Sequence, residues 1–277
     1  MKIKTFSYDQ LDTFVHRLSG LSKLVCFLLL TTAIMLTYDI RVILGIMVLS
    51  YIMMAVSKIR FSQIKVMLIY VGIFLAFNFV LTYVFAPEYG CEIYGTKHVL
   101  FTIAGPYTVT LEQLFYQVTK FMKYLSVIPL GIIFILTTNP SEFASSLNGV
   151  GVSYKVCTSL ALTLRYFPDV AAAYNAISLA QQARGVEMSA KAKMMDRLKR
   201  TASILIPLIM TTMDRIEIIS NAMDLRGFGK HKKRTWYARK PLKRADYISM
   251  SVSLIILLAS IFIRIFINHS IYYNPFI

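Results

Sequence analysis

Residues 24–56 read LVCFLLLTTAIMLTYDIRVILGIMVLSYIMMAV. A bilayer crossing needs about 20 apolar residues, so this block is too long for one helix. Its middle, Tyr38-Asp39-Ile40-Arg41, carries the block's only two charges. The block is therefore expected to fold as two short helices joined by a tight turn. Three further runs have the length and apolarity of spans, at residues 64–85, about 114–137 and 248–267, giving about five transmembrane helices. A shorter apolar run at 204–213 contains Pro207 and is expected to form a buried helix on the cytoplasmic side. The fold class that results is an all-α integral membrane protein with a cytoplasmic helical region.

Composition agrees. The chain is 56% hydrophobic with a mean hydropathy of +0.59, and its polar residues are segregated rather than interleaved, which excludes an ordinary soluble domain. About twenty mostly polar residues precede the first apolar run, so no removable signal sequence is expected and that run should remain a membrane helix.

Basic residues set the expected orientation. Of the 30 Lys and Arg, 25 fall in the segments that lie inside if the N-terminus is inside, and only Arg41 and Lys97 fall in outer loops. Short basic loops stay in the cytoplasm, so the N-terminus is placed inside and the C-terminus outside the membrane. The net charge of +16 is concentrated beside span ends, which points to topology and anionic lipid. No interleaved aromatic motif accompanies it, so nucleic acid is not an expected partner. The cluster Lys230, Lys232, Lys233, Arg234, Arg239, Lys240, Lys243 and Arg244 should sit at lipid headgroups and anchor the last span.

Reactive chemistry is poorly supplied. Cys26, Cys91 and Cys157 are scattered, as are His16, His98, His231 and His269, so neither a disulfide framework nor a metal site is expected. Gly227-Phe228-Gly229-Lys230 is followed by His231 and lacks the spacing of a phosphate-binding loop. Gly149-Val150-Gly151 reads as a turn between helices. No HExxH, GxSxG or Asp-rich motif occurs, which removes the usual supports for a hydrolase or a metal-dependent transferase. No catalytic residue and no cofactor are expected.

Residues 140–229 carry the most information. Thr138-Asn139-Pro140-Ser141-Glu142 reads as a helix start, and Arg165-Tyr166-Phe167-Pro168-Asp169 as a second boundary. Ala171, Ala172, Ala173, Ala176, Ala180 and Ala183 follow, fitting either close helix approach or helix propensity alone. Two helices then end alike, at Ala183-Arg184-Gly185 and at Leu225-Arg226-Gly227. Glycine adopts the left-handed conformation that stops a helix, and an Arg there meets the negative end of the dipole. Ile216, Ile219, Met223 and Arg226 share one helical face, as do Ile177, Ala180 and Arg184. An apolar stripe ending in a guanidinium suits a groove that ends in a carboxylate.

With these motifs the chain resembles the transmembrane T component of energy-coupling factor (ECF) transporters, the EcfT/CbiQ-like family. Asp12-Thr13, His16-Arg17-Leu18 and Lys23 are similar to its N-terminal signature. Thr138-Asn139-Pro140, Leu164-Arg165-Tyr166-Phe167-Pro168, Ala183-Arg184-Gly185 and Ala222-Met223-Asp224-Leu225-Arg226-Gly227-Phe228 are similar to the later ones in order and spacing. The second Arg motif has Leu225 where Ala is common.

The resemblance implies a scaffold joining two ATP-binding-cassette ATPases to a substrate-binding S component. ATP would be bound by the partners, and Arg184 and Arg226 would dock one on each ATPase. Vitamins, their precursors and nickel or cobalt ions are the cargo classes it implies. Arg165 is expected to tie helices within the chain, with Pro168, Asn139 and Pro140 in structural roles. The expected organisation is a transmembrane region 1–138 with an outer loop 86–110, a coupling region 139–245, and a last span 246–277. A permease of a conventional ABC transporter, with its own substrate path, is the alternative. A lipid-modifying membrane enzyme is a weaker one, because Asp169, Asp214, Glu217 and Asp224 form no catalytic motif.

Lys120 and Lys123 fall inside a span, where charges must snorkel or find partners. Snorkelling is the first expectation. Residues 86–110, with Gly90, Gly95, Gly105 and Pro106, suit a short hairpin or lid.

Overall fold

One carboxylate builds the turn inside residues 24–56. The computed structural model describes residues 13–59, 61–104, 107–185, 194–231, 235, 236 and 240–276. After a single turn, α1 (Phe14–Arg17), come α2 (Gly20–Leu36) and α3 (Ile40–Val56). Between the last two, Asp39 Oδ1 accepts the Arg41 backbone N–H at 2.9 Å and so caps α3, while Oδ2 accepts Arg41 Nη2 at 2.8 Å and Asn268 Nδ2 at 2.9 Å. Burial pushes the Asp39 carboxyl pKa up, but the bonds from Arg41 and Asn268 outweigh it and hold the group below the ordinary value.

The chain forms two compact units, residues 1–139 with 240–277, and residues 140–239. The first unit continues with α4 (Phe61–Phe85), α5 (Tyr89–Tyr94), an antiparallel hairpin of β1 (Val99–Ala104) and β2 (Tyr107–Thr110), and α6 (Leu111–Thr137). The second unit holds α7 (Pro140–Val150), α8 (Tyr154–Ala183) and α9 (Met194–Leu225); α10 (Arg244–Phe262), with a π-helical end at Ile263–Ile267, returns to the first. Among the described residues three stretches are long and apolar enough to cross a membrane, Met67–Phe85, Leu111–Thr137 and Arg244–Ile267, and Gly20–Leu36 and Ile40–Val56 are shorter apolar helices.

The short helices raise a problem that the first unit solves with cations. A 17-residue helix spans about 26 Å at 1.5 Å per residue, less than the ~30 Å hydrocarbon core, so its last carbonyls lack partners in an apolar surround. Lys123 Nζ donates to Met35 O at 3.1 Å and Thr37 O at 3.4 Å, and Arg264 Nη1 donates to Leu36 O at 3.1 Å. Lys23 Nζ does the same for α6, donating to Thr137 O at 2.7 Å. Lys123 also lies 3.7 Å from the centre of the Tyr38 ring and is 5% exposed, so it is a cap for α2 and does not snorkel. Lys120 donates to Thr82 Oγ1 at 2.8 Å, joining α6 to α4.

At the other end of α2 a single anion serves two helix starts. Asp246 accepts the Ser19 N–H at 2.7 Å, the Ser22 hydroxyl at 2.6 Å and the Lys243 N–H at 2.7 Å. Negative charge at two helix N-termini is favourable, and Asp246 is buried. Leu30, Ala33, Ile34, Ile46 and Leu130 form the core between these capped ends.

The segment between α4 and α6 is a helical turn plus a hairpin, a small departure from an all-helical chain. Gln113 holds it through Gly90 N–H to Oε1 at 2.7 Å and Nε2 to Ala86 O at 3.1 Å. The tail after α10 packs on the same end, with Tyr272 against Tyr38 at 4.9 Å between ring centres and Asn274 Nδ2 on Tyr94 O at 3.0 Å.

In the second unit two expected interruptions are absent. Pro168 lies inside α8 and Pro207 inside α9, so residues 165–169 are no boundary. Residues 204–213 are likewise no separate buried helix. Ile204 and Leu208 are buried, whereas Leu205, Ile206, Ile209, Met210 and Met213 are exposed. A helix proline strips the carbonyl four residues back of its donor; for Pro207 that carbonyl is Ser203 O, which accepts Gln181 Nε2 from α8 at 3.3 Å. With the vacancy filled from a neighbouring helix, α9 continues.

Candidate functional site

The candidate site comprises two helix ends. Each is built by local sequence and placed by the pairing of α8 with α9. At the end of α9 the Gly227 N–H bonds Asp224 O at 2.9 Å and the Phe228 N–H bonds Met223 O at 2.9 Å, the crossed pair of a Schellman stop. Gly227 has φ +68°, which costs a residue without Cβ nothing. At the end of α8 the Gly185 N–H bonds Gln182 O at 3.0 Å, with φ +86° at Gly185. Both glycines therefore stop their helices, and in both cases the Arg occupies the last half-helical position.

Three contacts fix how the helices run. Gln181 meets Ser203, Asp169 meets Arg215 at 3.7 Å, and the Tyr154 and Phe228 rings lie 5.7 Å apart. Residues late in one helix meet residues early in the other, so the pair is antiparallel. Arg184 and Arg226 consequently sit at opposite ends of it, about 45 Å of helix apart for the 30 residues of α8 at 1.5 Å each. Tyr154 further packs on Trp236 at 5.4 Å, and Trp236 Nε1 donates to Asn148 Oδ1 at 3.1 Å, which ties the Arg226 end to the α7–α8 turn. That turn carries Gly151 at φ +115°, as its GxG spelling suggests.

Arg184, Ala183, Gly185, Leu225 and Arg226 are exposed and Gly227 is half-buried. Leu225 is 90% exposed, an apolar side chain held out beside a guanidinium. The stripe expected to lead to Arg226 divides. Ile216 is exposed, but Ile219 and Met223 are half-buried, and Ile219 shares a cleft with Tyr166 and Asp169 of α8. On α8, Ile177 is half-buried and Ala180 exposed. The exposed apolar face of α9 is instead Leu205, Ile206, Ile209, Met210, Met213 and Ile216, one strip of a 3.6-residue helix.

Arg165 is exposed. Arg215 with Asp169 and Gln181 with Ser203 tie α8 to α9. Of the alanines, only Ala173 is half-buried and the others are exposed, so within this chain most of them serve helix propensity. Pro140 is the first residue of α7, where a missing N–H costs nothing, and Asn139 precedes it. Among the described residues no group of His, Cys, Asp and Glu is placed to hold a metal.

A family model described as "Cobalt transport protein", CbiQ, matches residues 12–237. That span contains both Arg-Gly ends. The chain belongs to the CbiQ family. Curated relatives carry the name energy-coupling factor transporter transmembrane protein EcfT. The protein from Exiguobacterium sibiricum is 23% identical over 257 residues, covering 90% of this chain and 92% of its own length. That from Lactococcus lactis subsp. cremoris is 25% identical over 259 residues, covering 88% and 94%, and that from Limosilactobacillus fermentum 25% over 265 residues, covering 90% and 93%. This CbiQ-family chain is thus an EcfT-like, non-catalytic membrane transport subunit.

Sequence reasoning overlooked Asp246 and gave no role to Asp39 or Gln181. A signal existed for two of them: Asp246 follows a basic pair and opens a span, the position of an N3 capping acid, and Asp39 precedes an apolar run as an N-cap.

Proposed function

We propose that this chain is the energy-coupling T subunit of an ECF-type importer, linking two cytoplasmic ABC ATPases to a substrate-binding S component. Its cargo class is a vitamin, a vitamin precursor or a transition-metal ion, selected by the S component. The N-terminus lies inside and the C-terminus outside the cell membrane. ATP is bound and hydrolysed on the partner subunits.

The observation that carries this reading is the pair of exposed Arg-Gly helix ends, held at opposite ends of one antiparallel helix pair. Each presents a planar fork of donors that matches a carboxylate. Because the tips are far apart and joined by rigid helix, each serves a different ATPase, and a change in the separation of the two ATPases is passed to α8 and α9 as a movement of one helix against the other.

Removing one partner of a buried hydrogen-bonded charge pair costs about 2–5 kcal/mol. Arg184→Ala with Arg226→Ala is therefore expected to abolish co-purification with the ATPases, or to leave an assembled complex that hydrolyses ATP without uptake. Normal uptake by the double variant would end the proposal.

A further inference from the structure

The last two turns of α9 carry apolar side chains in the open. Ile218 is 70% exposed and Leu225 90%, and with the exposed Ala222 between them they stand at i, i+4 and i+7 on one helical face. Leu225 is the last residue of α9 and directly precedes Arg226. The end that presents it is fixed. The Phe228 N–H is bonded to Met223 O at 2.9 Å, the Phe228 ring lies 5.7 Å from Tyr154, and Tyr154 lies 5.4 Å from Trp236. A lone exposed leucine is ordinary. A leucine at a fixed helix stop, in line with an exposed isoleucine and beside an arginine, is a contact surface formed in advance of its partner.

The other tip lacks it. Laying Arg226 on Arg184 sets Ile218, Ala222 and Leu225 on Ala176, Ala180 and Ala183, all of them exposed. Charge differs too, since the exposed Asp214, Glu217 and Asp224 fall on Ala172, Asn175 and Gln182. The two ends therefore share a guanidinium and a glycine stop but differ in the volume and charge around them. The three acids also argue against lipid as the occupant of the α9 patch, because an anionic membrane surface repels carboxylates. Leu225 and Arg226 are neighbours, so whatever receives the guanidinium also meets the leucine.

We propose that Leu225 and Ile218 select the ATPase that docks on the α9 tip: they fill an apolar pocket beside the carboxylate taken by Arg226, whereas the α8 tip enters a groove shaped for alanine. The inference rests on the ATPase-docking reading of the two arginines. A pocket matched to leucine is left partly empty by alanine, and a groove matched to alanine must distort to admit leucine. The two tips are accordingly not interchangeable.

The ATPase subunits that co-purify with the full-length chain in mild detergent are separated from it and titrated back onto the chain in nanodiscs. Leu225→Ala removes three carbons and should weaken binding about fiftyfold. Leu225→Met should cost less than about threefold, and both variants should melt with the parent chain because the side chain is exposed. Ala183→Leu should weaken binding about tenfold by overfilling the other groove. Binding by Leu225→Ala within about threefold of the parent, or by Ala183→Leu without loss, would overturn the inference. Arg226→Ala keeps the two readings apart. If it releases the ATPase and Leu225→Ala does not, the leucine pocket alone is wrong; if Arg184→Ala with Arg226→Ala still holds both ATPases, the docking reading fails and this inference with it. Leu225→p-benzoylphenylalanine should photo-cross-link to an ATPase peptide, and cross-linking to lipid or to a second copy of the chain instead would overturn the assignment.

Discussion

Lys123→Met tests whether a buried cation holds the ends of the short helices. The substitution keeps the length and apolar stem of the side chain and removes the ammonium. Two carbonyls, Met35 O and Thr37 O, lose their donor, at about 1–3 kcal/mol for each buried acceptor left unmade. The contact with the Tyr38 ring at 3.7 Å goes as well, worth about 2 kcal/mol where the cation is desolvated. Relief from burying a charge offsets part of this loss. Arg264 cannot compensate, because it already serves Leu36 O. The net expected loss is about 3 kcal/mol, or a fall in melting temperature of about 10 °C.

Lys120→Met is the matched control. It removes one bond to a hydroxyl, and about 1 kcal/mol is expected. The assay is a reversible denaturant titration in detergent micelles followed by circular dichroism. If Lys123→Met unfolds within about 0.5 kcal/mol of the parent chain, or no earlier than Lys120→Met, the helix-capping account fails, since its carbonyl terms alone exceed that difference.

Two other outcomes follow from the structure. Gln181→Leu should destabilise the second unit by about 1 kcal/mol when Pro207 is present and by less in a Pro207→Ala background, where the helix supplies its own donor to Ser203 O; additive effects in the double-mutant cycle would separate the two residues. The Asp39 carboxyl is held below its unfolded value, so the link from the α2–α3 turn to Asn268 is at full strength above the ordinary carboxylate pKa and is lost as pH falls through the lowered one. Hydrogen exchange at residues 268–276 should accelerate on acidification through that window, and Asp39→Asn should flatten the response; an unchanged acid profile in that variant would remove Asp39 from the account.

Much of the fold could be read from the chain. The two short helices, the turn at Asp39, the other spans and both Arg-Gly stops follow from apolar run length, helical periodicity and the left-handed preference of glycine, all of which act within a few residues. Pro207 misled because a proline's cost depends on whether a neighbour fills the vacated carbonyl, and Gln181 lies 22 residues from Ser203. Lys123 misled likewise: its acceptors are 88 and 86 residues away, and an isolated helix offers a buried lysine no partner but water.

For the candidate site, sequence supplied the chemistry and the fold supplied the arrangement. Arg184 and Arg226 were visible as paired helix-end cations. Their separation was not, because it depends on α8 and α9 running antiparallel. Nor was the division of the α9 stripe, in which Ile219 and Met223 turn toward α8 while Leu225 stays exposed.

The sequence by itself determined a membrane-embedded helical chain, its membership of a transport family and the positions of two arginine-bearing stops, since hydrophobicity, helix periodicity and glycine stereochemistry are local properties. Only the tertiary structure decided which cations satisfy which helix ends, which prolines are tolerated and how far apart the two arginines stand. Those outcomes depend on groups distant in the chain meeting in an apolar interior, where an unpaired carbonyl or charge is too costly to leave alone.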